Sequence, residues 1–571
     1  MNHYSSSSRD IVADQGNGDD DHDDRFGYKD HPSFQWRNNL KGKSRDCSPN
    51  SIFKMMNLTC FLRSARSMLH RKANLYNVTV FFLLVGVFLT YLNLNKLHDL
   101  ILHQQDCGGL LKSSSASGGE FIQKKKFALH GRRVDSGYLK HVVEVLESVG
   151  WHRTSLESQD WDLLWAHDYP FRTLKDQLDA SGNKKRFINH FPGSGYVTNK
   201  MSLATSSLPH VPKAFQLPKD KDKLLKYAAD NQHKRFVQKS NNHRGIRISP
   251  LAALNLTSNS SFVQEYISNP LLIDGHKFDI GVYTILTSIA PLRLYIHGDV
   301  LFRFCPEAYH PFDPDVVDKY VVGDDYLPLW KVDSLSPFYN GLGMGMKASF
   351  NAWYDLKRAK NKTGAKTSDA IWTQVEDAIR AVYLAKEASI LETTRKFGNS
   401  HHNYFEMVRF DFVIDDDGQV FIMEANMSPN LSSAHFPPNQ ELYRQVLYNL
   451  FKLVGVASVE VDGRSTTDTT SVTRKHLAVF PEECSSSKCL YDCDSVRCSL
   501  CAHCLSPGGR EALARAYLEG VNQGDTIRIF PPNNRSGALR SLDTVKLSQE
   551  NQREVEWFRG KCDLAPSTVF C

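Results

Sequence analysis

The segment RFDFVIDDDGQVFIMEANMSPN, residues 409–430, constrains this chain more than any other. Apolar residues alternate with others on both sides of an acidic, Gly-containing turn, which predicts two antiparallel strands. Polar groups inside strands are costly unless they have partners or a task, yet Asp411, Glu424 and Asn426 lie within these. A two-residue loop at Asp416 and Asp417 sets Asp411 opposite Ile422. Opposed residues share a face and neighbours along a strand alternate. Asp411, Ile422, Glu424 and Asn426 then take one face, and Phe410, Phe412, Phe421 and Met423 the other. Two carboxylates and an amide oxygen converge, a sparse all-oxygen set that suits Mg²⁺ with its waters and phosphates. A three-residue loop would shift the parity and leave only an exposed hairpin of solvated acids.

The whole chain has 571 residues, enough for roughly two to four folding units. Apolar residues make up 41% and aromatics 11%, as in a globular protein, and the net charge of +6 points to no nucleic-acid partner. Residues 1–50 are rich in Ser, Asp and Asn and carry the run DDDHDD at 19–24. Such a segment buries no core, and 1–74 is expected to be a disordered tail. LYNVTVFFLLVGVFLTYLNL, residues 75–94, is uncharged and long enough to span a bilayer. Arg63, Arg66, Arg71 and Lys72 crowd its N-terminal side, against Lys96 and Lys112 beyond it. The positive-inside bias predicts a single-pass type II membrane protein with its catalytic domain in the lumen or outside; a cytosolic face is the alternative.

A linker at 95–120 contains SSSASGG, and a Cys-rich module is expected at 461–571. Eight of the twelve cysteines lie there: Cys484, Cys489, Cys493, Cys498, Cys501, Cys504, Cys562 and Cys571. An even, dense set outside the cytosol reads as disulfides. In the cytosol, the CxxCxxC run at 498–504 beside His503 reads as a zinc site. Tripeptides of the form N-x-S/T begin at Asn255, Asn259, Asn361, Asn426, Asn430 and Asn534, the pattern of a glycoprotein.

Between linker and module, helices are expected at 137–149, 368–388 (N-capped by Ser368) and 441–455 (ended by Gly455). Strands are expected at RFVQKS, FVQEYI and HKFDIGVYTIL, the last with Lys277 and Asp279 on one face. LRLYIHGDVLFRFC predicts a hairpin turning at Gly298 and Asp299, with Arg303 in its second strand. A lysine at a strand end beside a Gly-containing loop, as Lys239 is, can hold phosphates. Strands and helices without regular βαβ alternation indicate an α+β domain.

The ordered motifs DWDLLW, INHFPGSGYVTNK, FVQKSNNHRGIRI, FVQEYISNPLLIDGHKFDIGVYTILTS and NYFEMVRFDFVIDDDGQVFIMEANMSPNL resemble the tubulin-tyrosine ligase-like family over about residues 130–455. The layout with a membrane segment is similar to membrane-anchored tubulin polyglutamylases of that family. The resemblance implies an ATP-grasp domain at 121–460, using ATP and Mg²⁺ to join glutamate to a protein carboxylate, with tubulin or microtubules as acceptor. It implies an acyl-phosphate route, in which phosphorylation gives the carboxylate a leaving group and metal ions neutralise the transferring phosphoryl group.

Carried over by motif, Asp411, Glu424 and Asn426 match the magnesium ligands. Lys239 matches the phosphate lysine, and Arg244, Gly245 and Ile246 the loop over the phosphates. Gln264, Glu265, Tyr266 and Ile267 match the adenine-bordering segment, Lys277 and Asp279 the K-F-D nucleotide contacts, and Arg303 the arginine for the amino-acid carboxylate. The chain departs from the pattern in four places. Ser240 replaces a proline, His243 the first glycine of the loop, and DKYVVGDDYLPLW an L-T-N segment; Gly281 stands where K-F-D-x-R places an arginine. The departures bear on ligase activity more than on ATP binding. Three readings follow: a tubulin ligase, whose acidic acceptor tails complement KKK (124–126), RR (132–133) and KKR (184–186); a ligase on a luminal acceptor; and an impaired ATP-grasp module that binds partners.

Overall fold

The computed structural model describes residues 125–179, 185–240, 246–361, 367–397, 403–457, 460–461, 464–465, 469–533, 546–566 and 568–571. The expected tail, membrane span (75–94) and linker lie outside the described residues. Among the described residues, no helix is long and apolar enough to cross a membrane.

Residues 121–571 form one unit of mixed helix and strand with three principal sheets. The first is parallel and runs, in spatial order, Asn403–Tyr404, Phe187–Ile188, Leu163–Ala166, Lys126–His130, His152–Arg153. Its central strand, LLWA, is buried throughout, as a strand covered on both faces requires.

The second sheet is antiparallel: Ala214–Gln216, Ser261–Tyr266, Arg235–Ser240, Arg247–Ser249. One face, with Phe215, Phe236 and Val263, packs on Leu224 and Ala228 of the helix Lys221–Asp230. Strand alternation turns Val237, Lys239, Gln264 and Tyr266 to the other face.

The third sheet is built around the 14-residue strand His276–Ile289. Glu406–Ile414 pairs along one edge, and Val420–Asn426 pairs outside it. Along the other edge lie Leu301–Phe304 and Leu292–His297, end to end. These two strands therefore do not form the expected hairpin. Each pairs with the long strand instead, and the chain between them is pinned where the Gly298 N–H donates to the Asp525 carbonyl at 2.8 Å. Asp299 is the N-terminal anchor of another helix, accepting from the N–H groups of Met346 and Lys347.

Helix Ser368–Lys396 presents Ile371, Val375, Ile379 and Val382 to this core, all fully buried. Its N-cap is Thr367 rather than Ser368, whose N–H and hydroxyl both donate to Asp355. A further helix runs Asn439–Leu453, and Gly455 follows at φ +82°, the left-handed backbone that suits glycine after a helix.

The segment beyond 460 is not set apart from the sheet. Thr526–Phe530 pairs with Leu292–His297 and extends it. Arg293 reaches Glu519 at 2.9 Å and Glu554 at 3.2 Å, all three buried. The eight cysteines close four disulfides: Cys484–Cys501, Cys489–Cys498, Cys493–Cys504 and Cys562–Cys571. Zinc needs thiolates, so the alternative of a zinc site at the CxxCxxC run is set aside. Although Cys493, His503 and Cys504 lie close together, both sulfurs are bonded to each other.

Candidate active site

The loop between the two diagnostic strands holds three residues, Asp416, Asp417 and Gly418. The Asp415 N–H donates to the Gln419 carbonyl at 3.0 Å, and Ile414 pairs with Val420. That parity alone would carry Asp411 away from Glu424. A bulge between Asp411 and Phe412, with Met423 as the extra residue, reverses it. Asp411 thus pairs with Glu424 and Arg409 with Asn426, while Ile422 pairs with Phe412 and is buried with it. The expected pairing of Asp411 with Ile422 is corrected, but the three polar residues do share one face.

Asn426 Nδ2 donates to Asp411 at 3.0 Å and to Glu424 at 3.1 Å, tying the three together. Across the sheet, Arg303 pairs with Asp279 in register. Its Nε and Nη2 grip the Asp279 carboxylate at 2.9 and 2.8 Å, and Nη2 also reaches Asp411 at 2.9 Å. Arg409 closes on Asp411 from the same strand, with Nε at 2.7 Å and Nη2 at 2.9 Å. Asp411 therefore accepts four hydrogen bonds and is 2% exposed. Lys200 lies 2.8 Å from Glu424. Burial raises the Glu424 carboxyl, but the Lys200 charge and hydrogen bond outweigh it and hold the group well below the usual range. The set of two carboxylates and an amide has the oxygen chemistry that fits Mg²⁺, with Glu424 the more exposed of the two acids.

The second sheet brings Lys239 to the same cleft. Its Nζ donates to the Gln264 side chain at 2.9 Å, and Gln264 Nε2 donates to the Pro212 carbonyl. Burial pushes the Lys239 ammonium down to about 8, partly offset by the charge of Glu424. Lys277 is buried, donates to the Tyr320 carbonyl at 2.8 Å and lies 5.0 Å from the Tyr266 ring centre. Ile246 packs beside Tyr266, Tyr309 and Tyr320, an aromatic wall suited to a planar base. Ile267 is partly buried just past the strand Ser261–Tyr266. Glu265 points the other way, to Lys234 at 2.7 Å and the Tyr227 hydroxyl at 2.8 Å, and its N–H donates to the Lys213 carbonyl. Arg244, Gly245 and His243 lie outside the described residues. The segment replacing L-T-N supplies the edge strand Leu327–Pro328, paired with Arg303 and Phe304.

Lys200 and Arg409 carry no mark in the sequence: no charge pattern singles out Lys200, and Arg409 alternates as any strand residue would. The basic runs fare unevenly. Arg132 and Arg133 are exposed, but Arg186 is buried on the Trp161 ring at 3.9 Å and Lys185 pairs with Glu511.

Residues 178–466 match the tubulin-tyrosine ligase family. The chain is 40% identical over 449 residues to "Probable tubulin polyglutamylase ttll-15" of Caenorhabditis elegans, covering 75% of this chain and 83% of that protein. It is 26% identical over 319 residues to "Tubulin monoglutamylase TTLL4" of Homo sapiens, covering 53% of this chain but 26% of the relative. For "Tubulin polyglutamylase TTLL5" of Mus musculus the identity is 25% over 342 residues, or 57% and 24% of the two chains. The expected type II placement with a luminal catalytic domain is corrected here: no described helix can span a bilayer, and these relatives are named for modifying tubulin.

Proposed function

Because the chain belongs to the tubulin-tyrosine ligase family, we propose that it is an ATP- and Mg²⁺-dependent ligase that adds glutamate to carboxylate side chains of tubulin. One observation carries this reading: Asp411, Glu424 and Asn426, bonded together on the third sheet, face a phosphate-type lysine, Lys239, on the second. Lys239 and Lys277 hold the nucleotide phosphates as point charges. Ile246, Tyr266 and the backbone of Gln264, Glu265 and Ile267 border the adenine. Glu424, Asn426 and Asp411 hold Mg²⁺, which when bound neutralises phosphate charge. The bonds of Arg303 to Asp279 and Asp411 use Nε and Nη2, so Nη1 is the donor offered to the carboxylate of the incoming glutamate.

The acceptor carboxylate takes the γ-phosphoryl group and ADP leaves. The glutamate amine then attacks the acyl carbon, phosphate departs, the amine loses a proton and an isopeptide bond remains. The exposed pair Arg132 and Arg133 suits an acidic acceptor tail. A second reading, a module that binds nucleotide without ligating, is favoured by the four hydrogen bonds that already occupy Asp411.

The test is incorporation of labelled glutamate into tubulin by the purified chain with Mg²⁺ and ATP, alongside Glu424→Gln. Label that depends on ATP and on Glu424 supports the ligase. Label undiminished in Glu424→Gln would remove the metal assignment, and nucleotide binding without any label would leave the binding module.

A further inference from the structure

Gly281 sits directly opposite Asp411 across the paired strands His276–Ile289 and Glu406–Ile414. A Cβ built on Gly281 would lie 2.8 Å from Cδ and 3.2 Å from Nε of Arg409. The Arg409 side chain therefore occupies the space that any side chain at 281 needs. Arg409 and Asp411 are two residues apart on one strand and share a face, which lets the guanidinium fold back onto the carboxylate in a two-point grip. Opposed residues also share a face, so an arginine at 281 would reach Asp411 from the neighbouring strand. The fork can enter from either strand, but not from both.

We propose that residues 281 and 409 are a reciprocal pair: Arg409 supplies the fixed guanidinium that orients Asp411 and adds positive charge beside the nucleotide phosphates, and Gly281 makes room for it. This rests on the ligase reading above. Arg409 is a positioning residue. It acts through Asp411, which in turn accepts from Asn426 and so shares in placing the amide. The charges balance, with Arg303 and Arg409 set against Asp279 and Asp411. Without Arg409 the buried Asp411 keeps only part of its compensation, and the cleft loses a cation. The cation absent at 281 is in this way present at 409.

The experiment measures the affinity of the full chain for a fluorescent, non-hydrolysable ATP analogue with Mg²⁺, together with the melting temperature. The variants are Arg409→Gly, Gly281→Arg and the double swap Gly281→Arg/Arg409→Gly. Arg409→Gly is expected to weaken binding about 10- to 100-fold, the usual cost of losing a group that orients a metal ligand. Gly281→Arg alone is expected to be impaired, since two side chains contest one space. The double swap is expected to recover most of the loss. Should that variant fold poorly, free guanidinium ion added to Arg409→Gly is expected to restore binding where methylammonium does not. The pair is overturned if Arg409→Gly binds like the wild type, or if neither the swap nor guanidinium restores a folded Arg409→Gly. A wild type that binds no nucleotide overturns the ligase reading and the pair with it; a wild type that binds, without any rescue, overturns the pair alone.

Discussion

Lys200 reaches the Glu424 carboxylate at 2.8 Å, joining the short helix Lys200–Ala204 to the outermost of the two diagnostic strands. Both side chains are only partly buried, at 16% and 29% exposure, so solvent weakens the pair. Lys200→Met is expected to move the melting temperature by no more than a few degrees. Without that charge the Glu424 carboxyl loses the strongest of the influences that lower it and keeps only the Asn426 hydrogen bond and the Arg409 charge against its burial. Mg²⁺-dependent glutamylation is therefore expected to fall about tenfold or more, most steeply on the acid side. Initial rates from about pH 5 to about pH 7 check this.

Lys239 gives a pH dependence of its own. Burial brings its ammonium down to about 8, so the charge is present below that pH and is lost above it. In the unfolded chain the group keeps its proton to about 10.4. The unfolded state thus binds more protons between the two values, and stability from this group rises across that window. Nucleotide affinity runs the opposite way and weakens as pH climbs through about 8. Binding isotherms on both sides of that pH, with Lys239→Met as the flat control, decide the point.

The buried triad of Arg293, Glu519 and Glu554 predicts a large loss on cutting one member. Arg293→Met strands two buried carboxylates, which costs about 3–5 kcal/mol. Denaturant unfolding measures it. Replacing all three by apolar residues is expected to recover much of that loss.

The disulfides predict a coupled effect. Cys484–Cys501 spans 17 residues and Cys493–Cys504 spans 11. Loops of that size are worth about 2–4 kcal/mol per bond. Because the same segment contributes Thr526–Phe530 to the third sheet, reduction is expected to lower both the melting temperature and nucleotide binding. A scan with and without dithiothreitol, read by both signals, shows whether they fall together.

Much of the fold follows from local pattern. The helix at Ser368–Lys396 carries its apolar face at the expected spacing, and the strands at Arg235–Ser240 and His276–Ile289 lie where alternation puts them. The shared face of Asp411, Glu424 and Asn426 is a subtler case. The loop is one residue longer than expected, and an equally unforeseen bulge at Met423 restores the parity. Neither has a mark in the residue types, since bulges are set by how strands twist against their neighbours. Arg409 was invisible for another reason: its meaning lies in Gly281, on a different strand, and no periodicity links the two. The hairpin expected at Gly298 and Asp299 failed because a longer strand outbid the local turn for both partners.

The strand Thr526–Phe530 has a consequence for how the protein is made. It covers an edge of the third sheet that Leu292–His297 would otherwise leave open. During synthesis the ribosome delivers that open edge long before the strand that closes it. Until residues 526–530 emerge, the nascent chain displays unpaired backbone on a strand buried at every residue in the finished fold, the kind of surface that recruits other strands. A ribosome stalled in the Cys-rich segment would therefore leave that edge open to pairing with other chains until Thr526–Phe530 docks.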